Sequence, residues 1–157
     1  KTIAAVDVNG DGMLDILLGN QNRNNQLLMN NGNGTYAEAI DLPGFSTGVS
    51  SILAADVNND GMVDIIIGNI GTKNKLLLND GNGTFSEAID LPGGGGRRKT
   101  VSVTLADVNN DGMLDIIIGN SRQKNQLLLN DDDGMYSKVI DLPGGAERTT
   151  SIAAADV

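Results

Sequence analysis

Oxygen-bearing side chains alternate along the same nine-position stretch three times: DVNGDGMLD from Asp7, DVNNDGMVD from Asp56 and DVNNDGMLD from Asp107. Calcium is a hard cation that takes about 6 to 8 oxygens, and alternate side chains on a tightly curled loop converge on one point. In the first copy the donors are Asp7, Asn9, Asp11, the backbone carbonyl of Met13, and Asp15. The second copy offers Asp56, Asn58, Asp60, the Met62 carbonyl and Asp64. The third offers Asp107, Asn109, Asp111, the Met113 carbonyl and Asp115. Gly12, Gly61 and Gly112 stand where the loop must turn tightly, and glycine alone enters left-handed geometry without a Cβ penalty. Leu14, Val63 and Leu114 are expected to anchor the loops to a core. Three calcium sites are expected.

One such stretch alone is readily a turn, because Asn, Asp and Gly tolerate left-handed backbone and bond their own main chain. Three copies with the same Asp spacing favour a metal loop, and no basic residue within any copy offsets its three carboxylates. An EF-hand does not fit. Its twelfth position is a bidentate Glu entering a helix, whereas Leu18, Ile67 and Ile118 stand there, inside apolar runs. A dockerin-like repeat is excluded too, since no helix-forming segment follows the loop.

The chain contains no His, Cys or Trp, which removes the usual general base, thiolate nucleophile, zinc site and disulfide framework. No carboxylate pair outside the loops has the look of a catalytic acid and base, so an enzyme is not expected. The net charge of −9 disfavours nucleic acid phosphates as partners. Neither a signal peptide nor a run of about 20 apolar residues is present, so no transmembrane segment is expected.

The elements that hold the loops are strands. The copies start at 7, 56 and 107, a repeat of about 50 residues, which is the length of a propeller blade. Gly19-Asn20, Gly68-Asn69 and Gly119-Asn120 recur in step, as do Asn30, Asn79 and Asn130, and Pro43, Pro92 and Pro143. Ile65-Ile66-Ile67 and its equivalents are short, β-branched runs suited to a strand buried on both faces. Ile52 to Ala55 upstream, Leu76 to Leu78 downstream, and Thr84 to Leu91 complete four strands, the last two joined by an Asn/Asp-Gly hairpin. The expected fold is all-β, a propeller fragment of three four-stranded antiparallel blades plus the first strand of a fourth. The blades span 1–50, 51–100 and 101–150, with 151–157 as the incomplete one. A propeller closes with roughly 4 to 8 blades, so the remaining blades of a parent chain, or another copy, are expected to complete the ring. The chain starts at Lys1 and stops within a fourth copy, at Asp156-Val157, which fits a piece of a larger propeller.

Antiparallel order sends the calcium loops and Asn-Gly hairpins to one end of each blade and the remaining connections to the other. Arg23, Lys73, Lys75, Lys99, Arg122, Lys124 and Arg148, with Lys1, Arg97 and Arg98, fall at that other end; Lys138 does not. A bipolar module is expected, with an acidic calcium face and a basic face. Arg97, Arg98, Lys99 and Arg148 are the candidate contacts for an anionic partner, a protein or an acidic glycan. Asn33-Gly34-Thr35 and Asn82-Gly83-Thr84 have the form of glycosylation acceptors, though turn geometry also favours Asn-Gly there. Tyr36, Phe85 and Tyr136 recur at one blade position as packing residues.

The pattern DVNxDGxxDIIIGN, LLLNDGNGTF, AIDLPG resembles the FG-GAP/VCBS repeat family, which includes the headpiece propeller of integrin α subunits and repetitive extracellular proteins of microbes. The resemblance covers nearly the whole chain. It implies a propeller, often seven-bladed, with calcium in the hairpin joining a blade's first two strands. The Phe-Gly and Gly-Ala-Pro signatures of the integrin form are missing, so binding of integrin ligands is not implied. The resulting expectation is an extracellular, calcium-stabilised module for binding or adhesion whose partner meets the face opposite the calcium loops. The alternatives are an architectural subunit of a larger extracellular assembly and a non-catalytic propeller domain of a larger enzyme.

Overall fold

The computed structural model describes residues 2–94, 99–131 and 134–155. They form twelve strands in three sheets, and among the described residues there is no helix. The first blade comprises β1 (Thr2–Val6), β2 (Asp15–Gly19), β3 (Gln26–Leu28) and β4 (Ile40–Asp41). The second comprises β5 (Val49–Ala55), β6 (Asp64–Asn69), β7 (Lys75–Leu77) and β8 (Ile89–Asp90), and the third β9 (Lys99–Ala106), β10 (Asp115–Ser121), β11 (Gln126–Leu129) and β12 (Lys138–Asp141). Each sheet runs in sequence order, and every neighbouring pair is antiparallel. The first strands of blades two and three begin at Val49 and Lys99, slightly ahead of the boundaries at 51 and 101.

Burial follows position in the stack. All six residues of β6 are buried, because the central blade has a neighbour on each face, whereas β2 in the first blade alternates between buried and half-buried. The period of two along a strand sends Ile65 and Ile67 into a cluster with Leu17, Leu27, Val49 and Ile52, between the first two blades. Ile66 points the other way, into a cluster with Leu76, Val103, Ile116, Ile118 and Leu128 between the second and third. Burying a side chain of this size contributes roughly 1.5–3 kcal/mol, so contact between blades is the main source of cohesion.

Two recurrent residues end the second strand, one setting the spacing to the next blade and the other the connection to the third strand. A Cβ on Gly68 would lie 2.8 Å from Val103 Cγ2 of the next blade, so the strand approaches too closely for any other residue. The following Asn69 is fully buried; its amide donates to the Lys73 carbonyl at 2.7 Å, and its backbone N–H donates to Asn74 Oδ1 at 2.8 Å. That pair folds the connection to β7 back onto the strand.

Two elements differ from the sequence expectation. The outer strands β4 and β8 are two residues long instead of spanning 84–91 and its equivalent, with Asn30↔Tyr36 and Asn79↔Phe85 as isolated bridges before them. The intervening residues are largely exposed, and an outermost strand has nothing further to pair with. Ser151–Ala155 form no strand, since a blade's first strand needs its second to complete the ladder. The chain there lies against the third blade, with the Ile152 N–H 3.4 Å from Ser102 Oγ.

The blades are also strapped together by hydrogen bonds. Asn79 Nδ2 donates to the Val63 carbonyl of its own blade at 2.9 Å and to the Val8 carbonyl of the preceding blade at 2.8 Å. Asn130 repeats this with Leu114 at 3.1 Å and Val57 at 2.8 Å. Asn30, with no described blade before it, reaches its own Leu14 carbonyl alone. Removing the strap strands a buried carbonyl, at a cost of about 1–3 kcal/mol. Asn79→Ala and Asn130→Ala should each lower the free energy of unfolding, measured by denaturant titration, by that much, and Asn30→Ala by clearly less. Equal losses at all three positions would show that the strap between blades is not what stabilises them.

Candidate functional site

Each nine-position loop closes on its own first Asp. Asp7 Oδ1 accepts the N–H groups of Gly10 at 2.8 Å and Asp11 at 3.1 Å, while Oδ2 accepts that of Gly12 at 2.7 Å. Asn9 Oδ1 accepts the same Asp11 N–H at 3.2 Å, and Asp11 Oδ1 accepts Met13 N–H at 2.8 Å. Asp56, Asn58 and Asp60 repeat the pattern apart from the Gly10 bond, as do Asp107, Asn109 and Asp111. The curl needs left-handed backbone at the sixth position, where Gly12, Gly61 and Gly112 have φ of 84°, 84° and 87°. It needs it again at the fourth, where Gly10, Asn59 and Asn110 sit at 74°, 57° and 58°.

The ninth Asp is a different kind of residue. Asp15, Asp64 and Asp115 are fully buried. Asp64 Oδ2 accepts the Val57 N–H at 3.0 Å and Oδ1 accepts the Asn79 N–H at 2.9 Å, so one carboxylate ties the loop to the hairpin between β7 and β8. Asp15 and Asp115 make the same two bonds. Burial pushes the Asp64 carboxyl above the usual carboxylate range, the two backbone donors pull it down, and Asp60 and Asp56 push it further up. The loop is thus a place where negative charge is concentrated and only partly compensated.

By donor type the residues fit calcium. Every candidate ligand is oxygen, three of them carboxylate in each loop. Asp7 Oδ1 and Asn9 Oδ1 already meet at one amide, and each oxygen has a second lone pair to offer. Among the described residues, no three acidic side chains stand close enough together to form a finished metal cage. Asp7, Asn9, Asp11, the Met13 carbonyl and Asp15 would hold the ion in the first loop, with their equivalents in the other two. The ion would supply the positive charge that the loop lacks.

The loop is anchored by a residue that the sequence expectation passed over. Leu14, expected to point into the core, is 58% exposed, and Val63 and Leu114 are only half-buried. Val8 and Val57, at the second loop position, are buried instead, against Phe85 and Tyr136 of the following blade. The Tyr136 hydroxyl donates to the Leu114 carbonyl at 2.8 Å. In the third loop Val108 has no described blade after it and is 42% exposed; Tyr36, with no described blade before it, is 39% exposed. A period of two cannot reveal this, because Val8 becomes buried only when the next repeat docks.

At the other end of the blades stand Arg23, Lys73, Lys75, Lys99, Arg122, Lys124 and Arg148. Arg97 and Arg98 lie outside the described residues. Lys99 and Arg148 line one cavity together with Arg122. Sequence reasoning missed the acidic counterpart at this end: Asp41, Asp90 and Asp141 close the outer strands there. Asp90 pairs with Lys75 and Lys73, and the hydrogen bond from Lys75 holds its carboxyl below the usual range. Asp41 and Asp141 accept from Gln26 and Gln126.

The comparisons agree with this architecture. No curated protein matches the chain. A crystal structure of BBS1N in complex with ARL6DN, soaked with lead, is similar in fold, with a TM-score of 0.65 at 12% identity over 98% of this chain. The chain spans 47% of the length of that one. BBS1N is a β-propeller, and the three blades here are a fragment of the same fold. The pattern of the FG-GAP-like repeat matches residues 7–67, 56–118 and 107–157, which together take in almost the whole chain. Matched three times over almost its whole length, the chain belongs to the FG-GAP-like repeat family.

Proposed function

We propose that this chain is an extracellular, calcium-stabilised propeller module for binding or adhesion, with no catalytic role, in which calcium braces one end of the blades and a partner meets the other. The observation that carries it is the threefold recurrence of one oxygen-rich loop, closed each time by the same bonds to its first, third and fifth residues, at the end opposite to the clustered cations. The loop aspartates are occupied in holding the fold, through backbone N–H groups and the buried ninth position, so the metal is structural. Extracellular calcium modules often bind at about 10⁻⁴ to 10⁻³ M, an affinity that suits a calcium-rich exterior. Lys99 and Arg148, with Arg97 and Arg98, are the proposed contacts for an anionic protein or glycan.

A ligand that binds only the folded state stabilises it by about 2.7 kcal/mol at a hundredfold excess over its Kd. Added calcium should therefore raise the melting temperature and chelator lower it, with metal analysis approaching three ions per chain. A melting curve indifferent to calcium, in protein that retains no metal, would sink the assignment.

The second reading, an architectural subunit, is favoured by the two ends of the stack. Tyr36 and Val108 are the unmatched halves of a contact that is buried twice within the chain, as Val8 with Phe85 and Val57 with Tyr136. Further blades, from a parent chain or from another copy, would cover them. If another copy does so, sedimentation should show concentration-dependent association that Val108→Asp abolishes. A chain that stays monomeric at every concentration would leave the binding module as the better reading.

A further inference from the structure

The third blade carries an arginine, Arg122, where the other two carry Asn22 and Gly71. A cavity of about 500 Å³ opens at its cationic end, with Lys99, Arg122 and Arg148 around it. Two of these are fixed by main-chain pairing, Lys99 opposite Ile70 and Arg148 opposite Ser121, and the Arg122 N–H donates to the Glu147 carbonyl at 3.1 Å. The ion pairs among the described residues are those of Lys73 and Lys75 with Asp90, so none of the three cations has a carboxylate partner there.

The repeat itself shows that these cations are not scaffold. Counting back from the following loop start, Gly48, Lys99 and Arg148 occupy one position, and counting forward from each blade's own loop start, Asn22, Gly71 and Arg122 occupy another. The second position is left-handed in all three blades, with φ of 56°, 83° and 57°. Asn and Gly take that geometry readily, whereas a bulky residue there is an outlier, and such outliers gather at ligand sites. The fold asks for Gly or Asn at this place; Arg122 answers a different demand.

The remaining lining says what kind of ligand fits. Gln123 Oε1 is buried without any donor, and as an acceptor it asks for a hydroxyl or N–H, not an anion. Ile70 and Val101 offer an apolar wall and Ser121 a hydroxyl. An anion for the guanidinium groups, a hydroxyl for Gln123 and a C–H face for the wall are all found on one sugar ring bearing a carboxylate or sulfate. Arg122 and Arg148 can grip such a group through paired N–H donors. We infer that this cavity binds an acidic sugar residue, its anionic group held by Arg122, Arg148 and Lys99 and a ring hydroxyl by Gln123. The inference deepens the reading of the cationic end as the partner face, and it does not depend on calcium.

The test is an NMR titration of the intact chain, at fixed salt and calcium, with methyl glucuronoside, methyl glucoside, acetate and a glutamate peptide. Methyl glucuronoside should bind at least tenfold more tightly than the other three and shift the Gln123 side-chain amide. Arg122→Gly, which gives the third blade the residue of the second, should lose at least tenfold in affinity without lowering the melting temperature, and Gln123→Ala should lose affinity for the glucuronoside alone. Lys138→Ala, at the opposite end, should change nothing. Acetate binding as tightly as the glucuronoside would reduce the site to a general anion site and overturn the proposal, as would equal binding of the glutamate peptide, which would point to an acidic protein. Sugar binding that survives Arg122→Gly would also overturn it, while leaving the wider cationic face in place. A chain that binds the sugar and ignores calcium would refute the calcium brace and uphold this site.

Discussion

A four-stranded sheet with apolar side chains on both faces cannot stand in water alone, and everything else in this chain follows from the need to cover those faces. Ile65 and Ile67 are covered by the first blade and Ile66 by the third. Small residues keep the strands close enough for this to work, as Gly68 does against Val103. Backbone groups that the stacking hides must also be paired, and the Asn79 and Asn130 amides do so across each junction. The apolar contact and the hydrogen bond are made by neighbouring residues, so a blade gains both at once when the next one docks.

The same docking creates an electrostatic problem that the loop then manages. Asp64 is drawn into the interior to tie Val57 to Asn79, and removing a carboxylate from water is unfavourable unless something compensates. Two backbone donors do part of this, yet Asp56 and Asp60 nearby add to the repulsion. A bound cation would remove both difficulties. Loop and core are therefore one device, in which the residue that best supports packing is also the one most in need of positive charge.

Much of this was legible in the sequence because the repeat made each position visible three times. The runs at Ile16, Ile65 and Ile116 identified the second strands, and the Asn/Asp-Gly pairs identified the hairpins. What stayed hidden depends on contacts between repeats. Leu14 looks like an anchor and is exposed; Val8 looks like a loop residue and is core. The acidic ends of the outer strands were overlooked because Asp41, Asp90 and Asp141 read only as strand residues, and their meeting with Gln26, Lys75 and Gln126 depends on the register of the strand beside them. Periodicity shows which face a residue takes within one sheet, and says nothing of the partner that sheet will find.

Repetition also separates architecture from function in a way that a single domain does not permit. Where three blades keep the same residue, as with the ninth Asp or the strap Asn, the fold itself is sufficient explanation. Where one blade departs, the scaffold cannot be the cause, since its two siblings stand without the change. Arg122 departs against its own backbone preference, beside a cavity and without an acidic partner among the described residues. The oxygen-rich loops, for all their charge, are the conservative part of the molecule, and at Arg122 the third blade departs from its own repeat.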